Sequence, residues 1–285
     1  GRQYTTGKEC YPLTVTTGDM IKKMREPGFD PEKAAFFMPS GTGPCRFGQY
    51  NMFQRLVIQE LGYEIPVLAP NQDDNFYKEL AEIGGDPAKN GWLALVGTDL
   101  LAKALFDTRP YEGNPGETKV VYQRALQRLC DALEFGRSPY KAMEASAAEF
   151  RAVKVDKAQR KPTIGIVGEI YVRLHSFCND SVVDKVEALG GAVWLAPLME
   201  WIYYTNFTRI RHSKEHKRLL RLARNVIQHK VQILMEHQMS KPFHGIIEYL
   251  EETPIRGTLD YTNPYVDESF EGETVLSIGK TIDYY

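Results

Sequence analysis

Two stretches of this chain alternate a short apolar run, an amphipathic stretch and a second apolar run, and this pattern restricts the fold most. In the first, "AAFFMP" (34–39) and "IPVLAP" (65–70) indicate buried strands, and residues 49–61 between them place apolar side chains at helical spacing. A strand, a helix and a second strand form the unit from which parallel sheets are built. The sequence therefore predicts two parallel strands joined by a crossover helix.

The second stretch repeats the pattern. "TIGIVGE" (163–169) and "AVWLAP" (192–197) indicate strands, and "NDSVVDKVEALG" (179–190) begins with good helix-capping residues. Both stretches close with similar phrases, "LGYEIPVLAP" and "LGGAVWLAP", and both carry a cysteine between the first strand and its helix. Generic α/β construction explains the pattern, but the shared closing phrases and cysteines favour two related lobes. We predict an α/β protein of two Rossmann-like lobes with parallel sheets.

The segment between these stretches is expected to form a helical insert at about 92–150, which "DTRPYEGNPGET" (107–118) breaks in two. The charged stretch "KVDKAQRKP" (154–162) has the composition of a domain boundary. We thus predict a first α/β lobe with the insert at residues 1–153, and a second lobe at residues 154–285.

The second lobe carries a long helical stretch at residues 206–238, in which basic residues cluster between Arg209 and Arg224. Such a cluster is typical of a solvated face, and it would also suit a phosphate-bearing ligand or an acidic partner. The chain closes with "TVLSIGKTIDYY", a predicted helix that no strand follows. Because a helix in a parallel α/β domain leads into another strand, we expect the C-terminal lobe to be cut short.

The composition argues against several classes of protein. The 285 residues carry a net charge of −2, so nothing draws the chain to nucleic acid or to an anionic membrane, and no apolar stretch is long enough to cross a bilayer. Hydrophobic residues at 43% and charged residues at 25% are typical of globular proteins. Four cysteines are too few for a disulfide scaffold at this length. We expect a cytoplasmic protein, in which cysteines outside the core are metal ligands or reactive thiols.

Three of the cysteines precede predicted helices. Cys45 lies in a glycine-rich turn between strand and helix, and Cys178 directly precedes the capping residues Asn179 and Asp180. Cys10 is followed by Pro-containing sequence that is typical of a first helical turn. The positive end of a helix dipole stabilises a thiolate, which is the form that binds metal or attacks a substrate. Since α/β proteins gather their sites at such turns, we expect these thiols to share one site.

Cys130 differs from the other three, because it falls with Leu126, Leu129 and Leu133 on one predicted helical face, and we expect it in the core. The remaining thiols form no Cys-x-x-Cys pair, which argues against a zinc ribbon or a thioredoxin-type redox pair. Soft thiolates from separate loops suit an iron–sulfur cluster. Three ligands on a four-iron cluster would leave one iron open to substrate.

Residues around these cysteines supply candidate supporting groups. Lys8 and Arg46 would offset the negative charge of a thiolate-rich cluster. Gly41 and Gly43 would let the backbone approach a cluster or an anion. Glu169, at the end of a predicted strand, is a candidate acid–base group.

Four motifs of the chain resemble those of a known family: "TTGKECYPLTVTTGDM", "FFMPSGTGPCRFGQYN", "GEIYVRLHSFCND" and "GETVLSIGKTIDYY". Together they look like the C-terminal region of the long, fused CoA-substrate-specific enzyme activase proteins, which is similar to the 2-hydroxyacyl-CoA dehydratase subunits. The resemblance extends over most of the chain, with only a loose match at 92–150.

The resemblance implies a pair of α/β lobes that hold an oxygen-sensitive iron–sulfur cluster, either 4Fe–4S or double-cubane, with Cys10, Cys45 and Cys178 as ligands. In the dehydratases, a partner ATPase with an actin-like fold injects one low-potential electron. The electron reaches the cluster and then the thioester carbonyl of the acyl-CoA substrate, and a ketyl radical expels the hydroxyl or an equivalent group. Related proteins with a double-cubane cluster reduce small molecules instead. A cluster shared between subunits would make the protein a homodimer.

The chain departs from the full family pattern, which leaves two other functions open. It carries no nucleotide motif, so ATP hydrolysis would belong to a partner activase, and no motif identifies a CoA pocket. It also stops after "IDYY", where relatives continue into another strand and cysteine-bearing turn. One alternative is a non-catalytic docking module of an activase system. The other is a cysteine-dependent transferase, with Cys45 or Cys178 as nucleophile and His175 as the neighbouring base.

Overall fold

The computed structural model describes residues 1–41, 45–69 and 86–285. Most of the described residues are helical, and two small parallel sheets of two strands each accompany the helices. The contacts divide the chain into an N-terminal unit, Gly1–Ala88, and a C-terminal unit, Lys89–Tyr285. The protein is thus a mixed α/β protein.

The N-terminal unit contains one parallel strand pair with a helix between the strands. Its elements are α1 (Tyr11–Met24), β1 (Phe36–Phe37), α2 (Tyr50–Glu60) and β2 (Val67–Leu68), with 3-10 helices at Arg2–Tyr4, Pro31–Lys33 and Arg46–Gln49. Phe36 pairs with Val67 and Phe37 with Leu68. The predicted parallel pairing is therefore confirmed, although both strands are shorter than expected and position 70 lies outside the described residues.

The core of the N-terminal unit lies between α1, α2 and the strands. Helix α1 buries residues three and four positions apart, which places them on one face towards the unit's interior. The buried apolar cluster consists of Leu13, Met20, Met24, Met38, Tyr50, Ile58, Ile65 and Val67. The core is small because few apolar side chains contribute to it.

The C-terminal unit contains the second parallel pair, with β3 at Thr163–Ile166 and β4 at Ala192–Leu195. Its helices are α3 (Pro87–Thr108, which begins just before the division), α4 (Glu117–Glu134), α5 (Pro139–Ala152), α6 (Ile170–Leu174), α7 (Val182–Ala188), α8 (Met199–Glu215), α9 (Leu219–Ser240), α10 (Ile255–Thr262) and α11 (Glu273–Asp283). Short 3-10 helices lie at Arg109–Tyr111, Lys241–Phe243 and Glu268–Phe270. The predicted parallel pairing and the predicted C-terminal helix are confirmed here.

The helical segment that the sequence assigned to the first lobe shares its core with the C-terminal unit. This core combines α3, α4 and α5 with side chains from distant parts of the chain, namely Trp92, Leu93, Val96, Leu100, Leu101, Val121, Ala125, Leu129, Met143, Phe150, Met199, Met239 and Phe243. The stretch 154–162, where we placed the boundary, is an exposed connection. Charge composition marked that connection, but the apolar face of α3 determines which unit the helices join.

Two local predictions for the C-terminal unit are wrong. Cys130 is exposed, because α4 buries the face formed by Val121, Ala125 and Leu129, and Cys130 lies one residue beyond it. The predicted continuous helix at 206–238 is two helices, α8 and α9, which separate at the left-handed residue Lys217 (φ 53°). None of the helices in the described part of the chain has the length and hydropathy needed to cross a lipid bilayer.

Candidate functional site

Cys10 directly precedes α1. Its backbone is extended (φ −60°, ψ 137°), and its carbonyl oxygen accepts the first bond of the helix from the amide of Leu13 at 3.0 Å. The side chain is half-buried and packs against the apolar core of the N-terminal unit. The thiol therefore lies where the unpaired N–H groups of a 14-residue helix point.

Cys45 occupies the equivalent position before the 3-10 helix Arg46–Gln49, which continues into α2. Its backbone is also extended (φ −70°, ψ 131°), and its carbonyl accepts from the amide of Gly48 at 3.4 Å. The side chain is exposed. An exposed thiol at the start of a helical segment is accessible to a metal or to an electrophile.

One hydrogen bond joins the turns that carry these two cysteines. The guanidinium Nη1 of Arg46 donates to the backbone carbonyl of Lys8 at 3.1 Å, across 38 residues of sequence. Arg46 follows Cys45 and Lys8 lies two residues before Cys10, so the two turns are neighbours in space. The structure thus brings together two of the three predicted ligand turns, along with both of the predicted basic residues.

Glu9, which sequence reasoning did not single out, shapes the turn before Cys10. Its carboxylate accepts from the amides of Thr6 (3.0 Å), Gly7 (3.0 Å) and Lys8 (3.1 Å). These bonds, with the Thr6 amide foremost, hold the pKa of Glu9 below its usual value. Because this carboxylate accepts from three successive backbone amides, it holds the turn before Cys10 in one conformation.

The glycines beside Cys45 pack against each other. A Cβ atom on Gly48 would lie 2.2 Å from the carbonyl oxygen of Gly41, so residue 48 has no room for a side chain. Ser40 reinforces this contact by donating from its hydroxyl to the Gly48 carbonyl at 3.3 Å. Gly43, the other predicted glycine, lies outside the described residues. The backbone of Gly41 is therefore in close contact with Gly48, which lies in the 3-10 helix that follows Cys45.

Cys178 belongs to the C-terminal unit, in a turn between α6 and α7. Its amide donates to the carbonyl of His175 at 2.9 Å, and its side chain is half-buried. The short helix α6 intervenes between β3 and this turn, and α7 begins only at Val182. Asn179 holds the turn, because its side-chain oxygen accepts from the Val182 amide at 3.3 Å. The cysteine therefore does not occupy the direct strand-to-helix junction that we expected.

Glu169 has a structural contact that accounts for its position. Its carboxylate caps α6 by accepting from the Val172 amide at 2.8 Å, and the side chain is exposed. Glu273, at the start of α11, accepts from the amide of Ile170 at 2.9 Å and approaches the same helix end. Both carboxylates are placed where a helix N-terminus favours negative charge.

A buried ionic cluster in the C-terminal unit is the largest feature that sequence reasoning missed. Lys280, 1% exposed, contacts Glu252 at 2.6 Å, Asp283 at 3.1 Å and Glu200 at 3.5 Å. Lys103 contacts the other oxygen of Glu252 at 2.5 Å. A charged residue on the buried face of a helix was the available signal, since Lys280 follows Leu276 by one turn of α11.

The acids of this cluster respond differently to burial. Burial raises the pKa of Glu200 to about 7, because the single contact with Lys280 only partly offsets it. Burial also acts on Glu252, but Lys103 and Lys280 together hold the pKa of Glu252 below its usual value. Glu200 is thus the group in this cluster that exchanges a proton near neutral pH.

Two further buried groups join the strand ends to this cluster. Arg173 donates to the carbonyl of Gly168 at 2.8 Å and to that of Pro197 at 3.1 Å, which ties together the segments after β3 and β4. Asp99 accepts from the amide of Met199 at 2.7 Å, and burial raises the pKa of Asp99 to about 6. The carboxyl ends of the strands therefore carry a polar site held by long-range contacts.

Within residues 1–41, 45–69 and 86–285, no three His, Cys, Asp or Glu side chains are grouped closely enough to hold a metal ion. Comparison with known protein families, with curated proteins and with solved structures finds no match for this chain. The resemblance to the activase and dehydratase proteins accordingly stays a prediction. The described geometry places two thiols on neighbouring turns, and a hydrogen bond from Arg46 to the Lys8 carbonyl joins these turns.

Proposed function

We propose that this chain is an iron–sulfur protein of the 2-hydroxyacyl-CoA dehydratase component type. It would accept a low-potential electron from an ATP-driven activase and use it in a radical dehydration or another difficult reduction. The observation that carries the proposal is the Arg46–Lys8 bond, which sets two cysteines with the resembling motifs on neighbouring turns at helix starts.

The residues of the chain would have distinct roles around the cluster. Cys10 and Cys45 would bind it as thiolates, supported by the N–H groups at the starts of their helices. Cys178 would supply the third ligand. Arg46 and Lys8 would offset the negative charge, which is the usual way in which neighbouring donors tune a cluster. A bound 4Fe–4S or double-cubane cluster would supply one-electron transfer at low potential.

The wider proposal follows from the same resemblance. The two α/β units would be Rossmann-like lobes of a cytoplasmic protein, whose electron donor is an activase domain or protein. The substrate would be an acyl-CoA, and a shared cluster would make the protein a homodimer. Two parallel strand pairs, each with a helix connection, support the lobe arrangement.

The proposal is tested by measuring iron and acid-labile sulfide, with an absorption spectrum, on protein purified and reconstituted without oxygen. We expect roughly four of each per chain, or a clear excess for a double-cubane cluster, and broad absorption that dithionite bleaches. Cys45→Ser should abolish or reshape this spectrum. Cys130→Ser is the matched control, because Cys130 is also an exposed thiol but lies on α4, and it should leave the spectrum unchanged.

Two outcomes would contradict the proposal. Loss of the cluster in Cys130→Ser would show that the ligand assignment is wrong. An absence of iron after anaerobic reconstitution, in protein whose circular dichroism shows it to be folded, would favour a non-catalytic docking module of an activase system.

A cysteine-dependent transferase is the second candidate, and the turn between α6 and α7 favours it. His175 and Cys178 share that turn through a backbone bond of 2.9 Å. The His175 ring stacks on Tyr171 at 5.1 Å, and its Nδ1 is buried without a hydrogen-bond partner in the described part of the chain. Alkylation of Cys178 that abolishes activity without loss of iron would support this candidate against the cluster protein.

A further inference from the structure

Helix α9 exposes an apolar face along most of its length. Leu220 is 91% exposed, and Ile227 and Leu234 are each 62% exposed. These three residues are seven positions apart, and Val231, also exposed, lies between the last two. The four side chains form one continuous row about 21 Å long, which we name the α9 stripe.

The orientation of α9 is fixed by its opposite face. Met239 is fully buried in the main core of the C-terminal unit. Gln232 accepts at its side-chain oxygen from Asn206 at 2.7 Å and at its carbonyl from the indole of Trp92 at 3.2 Å. The helix therefore cannot rotate the α9 stripe inwards without breaking buried polar bonds.

Basic residues lie along the α9 stripe and just before it: Arg221, Arg224 and Lys230 are on α9, and Lys214, Lys217 and Arg218 precede it. Residues 214–231 contain six lysines and arginines and one acidic residue, Glu215. Among the basic residues, Lys214, Lys217, Arg218 and Lys230 form no ion pair with the described residues of the chain. The flanks of the α9 stripe therefore carry charges that a partner can pair with.

This charge pattern discriminates between possible occupants. A second copy of the chain would bring the same basic residues together, and like charges oppose that contact. A membrane surface suits a wide apolar face with cationic residues on the opposite side. Here Lys230 lies three residues after Ile227 and four before Leu234, on the stripe itself. A complementary carboxylate on a facing helix would pair with Lys230, which hydrocarbon would not.

We propose that the α9 stripe is the docking surface for an acidic amphipathic helix of a partner protein. The partner's apolar residues pack along Leu220, Ile227 and Leu234, and its glutamates or aspartates pair with the flanking lysines and arginines. Spacing of three, four and seven residues is the pattern by which helices dock in this mode. The inference is independent of the iron–sulfur proposal, since it requires no metal.

The test uses the full chain and a fluorescent helical peptide with leucines at heptad spacing and glutamates beside them. A peptide in which lysines replace the glutamates is the matched probe. We expect anisotropy to detect binding of the acidic peptide only, with affinity that falls as salt rises. Hydrogen exchange should slow in α9 when the peptide is bound.

The double variant Leu220→Ser/Ile227→Ser should weaken peptide binding at least roughly tenfold, because it removes two anchors from the stripe. Leu189→Ser is the control, since Leu189 is 89% exposed on the same unit but lies outside the stripe, and it should change binding less than about twofold. All these side chains are exposed, so circular dichroism should show folded protein in each case.

Three results would overturn the inference. Equal binding of the acidic and basic peptides would remove the role of charge. Binding to anionic phosphatidylserine vesicles without peptide binding would make the face a membrane surface. Concentration-dependent dimerisation that the double variant abolishes, again without peptide binding, would make it an interface between copies of this chain.

Discussion

The two units of this protein treat buried charge in opposite ways. Among its described residues, the N-terminal unit buries polar side chains that carry no charge, such as Thr17 and Gln54, and its ion pairs are at the surface. The C-terminal unit buries Lys280, Glu200 and Lys103 in one contact network. Buried charges cost desolvation and are retained only with partners, so the stability of the C-terminal unit depends on a few specific residues.

The two units also differ in which residues can be substituted without disturbing the fold. The N-terminal unit keeps Cys45 exposed near a glycine contact, whereas Cys10 packs against the edge of its small core. Cys45 can therefore be exchanged with little effect on packing. The C-terminal unit positions its strand ends through buried side chains such as Arg173, so changes there affect the fold first.

The largest effect is expected for Lys280→Met. The substitution leaves the buried Glu200 and also Asp283 without the cation that contacts them, and Glu252 keeps only Lys103, so we expect the free energy of unfolding to fall by roughly 3–5 kcal/mol. Lys23→Met is the control in the N-terminal unit, where the pair with Glu26 is exposed, and it should cost about 0–0.5 kcal/mol. Chemical denaturation measures both values, and similar losses would contradict the contrast between the units.

Glu200 in the C-terminal unit and Glu9 in the N-terminal unit should contribute to stability with opposite pH dependence. Because the pKa of Glu200 rises on folding to about 7, its contribution is fully present below the ordinary value of 4.5 and is lost as pH rises towards 7. The loss has an upper bound on the order of 3 kcal/mol. Glu9 acts in reverse, since its lowered pKa contributes stability above 4.5 that is lost as pH falls.

Glu200→Gln should therefore flatten the decline in unfolding free energy of the C-terminal unit as pH rises from 4.5 to about 7. Glu9→Gln should leave that decline intact and remove only the loss at lower pH. Denaturation curves at a series of pH values, followed by tryptophan fluorescence for the C-terminal unit and by hydrogen exchange in α1 for the N-terminal unit, separate the two. A decline that persists in Glu200→Gln would assign it to another group, with Asp99 the next to test.

Two glycine substitutions sharpen the comparison between fold and site. A Cβ on Gly165 would lie 2.5 Å from the Tyr284 ring, which stacks on Trp194, so Gly165→Ala should cost about 2 kcal/mol and leave iron content unchanged. Gly48→Ala would push the Gly41 carbonyl and reshape the Cys45 turn. It should lower the iron content of reconstituted protein in addition to its own cost in stability. The reverse pattern would contradict the placement of the cluster.

Local pattern was sufficient to predict both strand pairs and most helices, because strand and helix signals lie within each segment, but it missed the break between α8 and α9. The parallel pairing of β1 with β2 and of β3 with β4 followed from their order along the chain. The starts of α1 and α2 followed from proline, glycine and cysteine positions, so the placement of Cys10 and Cys45 before helices could be derived from sequence.

Features that depend on distant contacts could not be predicted in this way. Glu200, Glu252 and Lys280 are far apart in sequence, and only the packing of α8, α10 and α11 around one apolar cluster brings them together. The exposure of Cys130 depended on which side of α4 meets the core, and a shift of one residue rotates a helix face by about 100°. The sequence likewise does not show which segments pack against the apolar face of α3, because those segments are distant along the chain.

The smallest effect concerns two helix caps, one from each unit. Asp30 accepts from the amide of Glu32 at 3.1 Å, and Glu169 accepts from that of Val172 at 2.8 Å. If both carboxylates act only as caps, Asp30→Ala and Glu169→Ala should each cost about 0.5–1 kcal/mol, measured by chemical denaturation. Under the proposed function, turnover of an acyl-CoA by the reconstituted protein with an activase should then be equal in the two variants. A loss of turnover in Glu169→Ala but not in Asp30→Ala, at equal iron content, would support Glu169 as an acid–base group. A capping role alone predicts equal turnover in the two variants.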